Sequence, residues 1–106
     1  MNRLTRSEEF AAVRETGIFV RTAVFRLAAR PSDKRKLGII TSRKVGTAVQ
    51  RNRIRRVVRE HFRLYPKKYP QADCVIIAFS SASSVDNKTL RNELEQGLIK
   101  LHSKLA

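Results

Sequence analysis

The sequence is short of the residues on which protein-borne chemistry most often depends: it holds one cysteine, two histidines and nine acidic residues in 106. A single thiol, Cys74, cannot close an internal disulfide, and its place in an apolar run marks it as a buried cysteine in a chain suited to a reducing compartment. His61 and His102, distant in sequence and joined by no further thiol, make neither a zinc ligand set nor an evident acid/base pair. Nor do the carboxylates form a cluster for two-metal hydrolysis. Glu8 and Glu9 suit the positive end of a first helix instead. No apolar run approaches the ~20 residues of a membrane-spanning helix, and residues 1–6 lack the apolar core of a secretory signal, so the expectation is a cytoplasmic protein without a membrane partner. There are no internal repeats, and 42% hydrophobic residues over this length allow one domain, 1–106, with a small core.

Positive charge is what the chain has in excess. The formal net charge is +14, far more than solubility needs, which points to an acidic partner, most often nucleic acid. Residues 1–72 hold 19 Lys or Arg against 5 acids, whereas residues 73–106 hold 4 of each, so the whole excess lies in the first two thirds. It is densest from Arg43 to Arg63, where eight of twenty-one residues are basic and Glu60 is the only acid. At about 100° per residue, Ile54, Val57, Val58, His61, Phe62, Leu64 and Tyr65 share an arc of roughly 160°, with Arg55, Arg56, Arg59 and Arg63 opposite. A solvated helix face usually interleaves acids for i,i+4 pairing, and this one does not. Arg51 and Arg53 project about 200° apart, so one is expected to dock outward and the other to brace the helix start or a cleft wall.

The flanking segments read as an α+β domain of order α-β-β(-β)-α-β-α. Thr5 or Ser7 caps a first helix that Gly17 closes. Ile18 to Arg30 is rich in β-formers and forms one long strand or two short ones. Turn residues from Pro31 to Arg35 then lead into a strand from Lys36 to Arg43, and the pair reads as an antiparallel hairpin. Gly46 and Thr47 begin the basic helix, which stops before Pro66. Asp73 to Phe79 is an apolar run of the kind covered on both faces. Asp86 caps a last helix with a leucine stripe at Leu90, Leu94, Leu98, Leu101 and Leu105. Helices covering a mostly antiparallel sheet, with a crossover around the basic helix, make a two-layer sandwich.

Arg51, Asn52 and Arg53 at the start of the basic helix, preceded by Ser42 to Gly46 and followed by Ile54 to Glu60, resemble the protein subunit of bacterial ribonuclease P. Phe10 to Gly17, the strand ending at Ser42, the Asp73 to Ala78 strand and the last helix fall where that family has theirs, so the resemblance covers almost the whole chain. It implies a left-handed crossover, which periodicity does not reveal. It also implies a subunit that is itself non-catalytic. A catalytic RNA performs magnesium-dependent removal of the 5′ leader of precursor tRNA, with the Mg2+ at the RNA active site and no further protein partner required. Arg51, Asn52, Arg53, Arg55, Arg56 and Arg59 would face the catalytic RNA. Phe10, Val13, Arg14, Phe25, Arg43 and Lys44 would line or flank a cleft for the leader. Two positions that can be aromatic in relatives are Arg14 and Ala28 here. Neither offers an aromatic ring for a base to stack on, while the planar guanidinium of Arg14 can contact a phosphate or stack on a base.

By residue type alone, Phe10 and Phe25 read as core, His61 as a satisfied histidine at the core edge, and Asn52 as either an RNA contact or a local backbone cap. A ribosomal or ribosome-associated RNA-binding protein shares this charge and size. A stand-alone nuclease would need acids or histidines that the sequence does not place.

Overall fold

The structure, a computed structural model, describes residues 3–4 and 7–105. Three helices, α1 (Ser7–Thr16), α2 (Ala48–Leu64) and α3 (Asn87–Leu105), accompany strands β1 (Ile18–Arg21), β2 (Phe25–Pro31), β3 (Lys36–Ile40) and β4 (Ala72–Ala78). The strands form one sheet of order β1-β2-β4-β3. The cap expected of Thr5 lies outside the described residues.

The apolar run of β4 takes a central place because both of its faces are covered. Cys74, Ile76 and Ala78 join the core beneath α2 and α3, while Val75 and the partly buried Ile77 join a second cluster with Val13, Ala28 and Phe10 beneath α1. Helices therefore lie on both faces of the sheet. Burial in this strand pushes the Cys74 thiol up to about 12, so it is an inert packing group.

The expected hairpin between the second and third strands does not form. β4 inserts between them, antiparallel to β2 and parallel to β3, with α2 as the parallel crossover. A short turn makes neighbours pair often but not always, and a strand apolar on both faces gains more at the centre of the sheet than at its edge. The hairpin that does form joins β1 and β2. Thr22 closes it, its Oγ1 accepting from the Val24 and Phe25 N–H groups at 3.3 and 3.0 Å.

The basic helix starts as its sequence requires. Gly46 has φ +147°, a conformation that side chains disfavour. Thr47 follows as N-cap, its hydroxyl accepting from the Gln50 N–H at 3.2 Å while the Gln50 side chain accepts from the Thr47 N–H. Ile54, Val57, Val58, His61 and Phe62 are buried. Leu64 and Tyr65, expected on the same arc, are instead 51% and 46% exposed. The helix ends at Leu64, the chain turns at Pro66, and Tyr69 fills the core position with its ring edge-on to Phe62 at 4.8 Å. In α3 the Asp86 carboxylate accepts from the Thr89 N–H at 2.8 Å, and Leu90, Leu94, Leu98 and Leu101 are buried.

Candidate nucleic-acid interface

α2 carries its cations on three sides, each with a different neighbour. Toward α3, Arg53 donates from Nη1 to Asn87 Oδ1 at 2.7 Å and from Nη2 to the Ser83 carbonyl at 3.4 Å. It is the brace that the helical geometry required of one of the two motif arginines. Outward, Asn52, Arg56 and Arg63 border an open concavity together with Arg55, Arg59 and Glu60. Asn52 Oδ1 accepts from Arg55 Nη1 at 3.5 Å, so its amide holds an arginine in place on that face and does not cap the backbone.

The third side faces a groove. α1 crosses the sheet with the Phe10 ring over Gly38, where a Cβ would fall 2.5 Å from the ring. Between α1 and α2 this leaves an open channel floored by Leu37, Gly38, Ile39, Ile40 and Thr41 of β3 and its end. Ser7, Phe10 and Arg14 form its α1 wall, and Arg55 and Arg59 its α2 wall. Arg51, one turn before Arg55, stands in line with both. It is half-buried, and its Nε has no hydrogen-bond partner among the described residues. The Thr41 hydroxyl, 6% exposed, is likewise unpartnered. Buried polar groups are seldom left so, and Thr41 lines the channel directly.

Against the sequence expectations, the structure brings Phe10, Arg14, Arg55 and Arg59 to one groove. Arg43 and Lys44 are exposed on the turn Arg43–Val45 leading from Thr41 into α2. Val13 and Phe25 do not line it. Each has 0% exposure, Val13 clamped between α1 and the sheet and Phe25 on the opposite face of the sheet in the core beneath α2 and α3. Strand alternation explains Phe25, since Arg26 and Ala28 point to the α1 face and Phe25 and Leu27 away from it. Ile39, Ile40 and Thr41 were missed as lining residues, because nothing in a short apolar strand marks it as the floor of a channel.

The remaining polar cluster is structural. His61, 3% exposed, is hydrogen-bonded at both ring nitrogens, Nε2 with Glu95 Oε1 at 2.8 Å and Nδ1 with the Tyr69 hydroxyl at 2.9 Å. Lys68 also donates to Glu95, at 2.7 Å. That ammonium first, and the His61 ring after it, hold the Glu95 carboxyl below its ordinary range despite partial desolvation. Among the described residues no three His, Cys, Asp or Glu side chains come together as metal ligands, and no helix is long and apolar enough to cross a membrane.

A basic helix walled against an α1-covered sheet is an arrangement shared with solved proteins. The family model for ribonuclease P matches residues 1–102. The chain belongs to the ribonuclease P protein family. The Staphylococcus aureus RNase P protein superimposes with a TM-score of 0.88 at 28% identity, over 93% of this chain and 94% of that one. A ribonuclease P protein component from Shouchella clausii is 37% identical over 97 residues, 88% of this chain and 80% of that protein. One from Geotalea uraniireducens is 45% identical over 67 residues, 63% of this chain and 59% of that protein. Membership of this family makes the chain an RNA-binding protein component of a ribonucleoprotein endoribonuclease.

Proposed function

We propose that this ribonuclease P protein assists a catalytic RNA in removing the 5′ leader of precursor tRNA. The outer face of α2 docks on the RNA through Asn52, Arg56 and Arg63. The groove between α1 and α2 holds the single-stranded leader. The observation that carries this reading is that Arg55 and Arg59 belong to both surfaces at once. A helix only ~10 Å across then has the catalytic RNA on one side and its substrate strand on the other, which brings the leader alongside the RNA active site. Arg43, Lys44 and Arg51 extend the cationic wall, and Phe10 offers a half-buried ring edge. Hydrolysis and its magnesium belong to the RNA. Among the described residues no cluster of His, Cys, Asp or Glu is placed to hold a metal, and in this reading the protein's contribution is electrostatic neutralisation and positioning.

Cleavage of precursor tRNA by the protein alone, by ribonuclease P RNA alone and by both together at low magnesium tests this. Stimulation only in the combined reaction is expected. Activity of the protein alone, or no stimulation together with tight binding to ribosomal RNA, would overturn it.

A further inference from the structure

The two edges of the sheet are finished differently. Beside β3, the Leu4 N–H donates to the Leu37 carbonyl at 3.0 Å, so the chain covers that edge with its own backbone. At the other end of the sheet, no strand among the described residues pairs with the outer side of β1. In an antiparallel ladder, successive residues turn their N–H and C=O groups alternately toward the partner strand and away from it. The Thr22 N–H bonds to the Phe25 carbonyl at 2.8 Å and fixes the phase, so Phe19 and Arg21 turn theirs outward. An open edge of this kind is a template for another strand.

Two lysines of α3 cover it. Lys104 Nζ donates to the Phe19 carbonyl and Lys100 Nζ to the Arg21 carbonyl, each at 3.2 Å. The spacings match, since four residues along a helix rise about 6 Å and two along a strand about 6.6 Å. Gly97 brings the helix near enough, because a Cβ there would fall 2.6 Å from Leu27 Cδ1 and 3.1 Å from Thr22 Cγ2. Both lysines are exposed and neither has a carboxylate partner among the described residues, so the edge carbonyls are what they hold.

The strand beneath them is complementary to itself. Paired antiparallel with a second β1 about a two-fold axis at Val20, it sets Phe19 of each copy opposite Arg21 of the other. Those are the residues whose N–H and C=O groups face outward, and each such pair exchanges both main-chain bonds. The register opposes a cation to a ring instead of to another cation, and it covers Phe19, which is 43% exposed. A two-fold contact of this sort needs one surface only.

We infer that Lys100 and Lys104 hold the β1 edge closed against a second copy of this chain, and that neutralising both amines lets the edge pair with itself. Before two copies can meet, both ammoniums must leave their carbonyls on each strand. Side chains without the amine remove that barrier and leave the strand unchanged.

Sedimentation of the full chain over a range of concentrations tests this. The wild type is expected to remain a monomer. Lys100→Ala with Lys104→Ala should dimerise, with association at least about tenfold stronger. Lys100→Arg with Lys104→Arg, which keeps the donors, should behave as the wild type. Lys67→Ala with Lys88→Ala, which removes the same charge elsewhere, should stay monomeric. Adding Arg21→Pro to the neutral pair deletes an outward N–H while sparing the bonds to β2, and should restore the monomer. If melting curves show that the alanine pair does not fold, Lys100→Gln with Lys104→Gln takes its place. A neutral pair that stays monomeric, a wild type that dimerises as readily, or a dimer that Arg21→Pro leaves intact would overturn the inference. Equal dimerisation of the Lys67 and Lys88 variant would overturn it too, by assigning the effect to net charge.

Discussion

Arg53 and Asn87 tie the first half of the basic helix to the first residue of α3, through a guanidinium-to-amide bond of 2.7 Å. Arg51, two residues earlier, makes no such bond among the described residues. Arg53→Ala and Asn87→Ala should therefore each lower stability by about 1 kcal/mol, with the double variant little worse than either single one. Arg51→Ala should leave the melting temperature nearly unchanged and weaken the complex with ribonuclease P RNA. Melting curves and RNA titration on the same variants check this, and equal RNA losses with equal stability losses would contradict the division of roles.

Phe10 is held against the sheet only because residue 38 is glycine. Gly38→Ala should displace the ring, lower stability by roughly 1–3 kcal/mol, and reduce affinity for leader-bearing precursor tRNA more than for mature tRNA. Holoenzyme binding to the two RNAs measures the difference, and equal loss on both would separate Phe10 from the groove.

On the outer face of α2, Arg56→Ala should reduce the salt dependence of RNA assembly by a slope of about 1. Glu60→Gln, which removes the acid of that concavity, should tighten assembly at low salt. An Arg56→Ala variant with an unchanged slope would show that this face is merely solvated.

Lys68 and His61 together predict an acid limit to stability. Because Lys68 first and His61 next lower the Glu95 carboxyl in the folded state, the stabilisation is complete above the ordinary carboxylate value of about 4.3. It is lost as pH falls through the depressed folded value. Glu95→Gln should therefore reduce stability near neutrality and flatten its decline on acidification. Thermal melts in steps of pH check the sign, and parallel profiles for variant and wild type would refute it.

Gly46 should be intolerant for a backbone reason. With φ at +147°, Gly46→Ala strains the turn into the Thr47 capping box, at a cost of about 1–3 kcal/mol. Melting temperature and helix content report the loss, and an unchanged melt would mean that the turn relaxes freely.

Much of this architecture was legible in the sequence because it is local. Thr47, Gln50 and Pro66 mark the ends of α2, and the spacing of Ile54, Val57, Val58, His61 and Phe62 sets its buried side. The angular separation of Arg51 and Arg53 already demanded different roles. The partner of β3 was not legible, because pairing across the sheet depends on which strand covers both edges best, and the short turn from Pro31 to Arg35 favoured the wrong neighbour. Phe25 could not be told from a cleft residue either. A phenylalanine on a strand has the same chemistry on either face, and only the register with β4 assigns the face.

The sequence by itself determined a basic helix with one packed and one charged side, a strand buried on both faces and a chain poor in the groups that do chemistry. Helix periodicity, capping and charge balance depend on near neighbours and are written in residue order. Only the tertiary structure decided that Arg55 and Arg59 border two surfaces and that Arg53 braces α3. Those relations join residues that lie on separate elements or depend on which element packs against which side, and it is the closing of the sheet around β4 that brings them together.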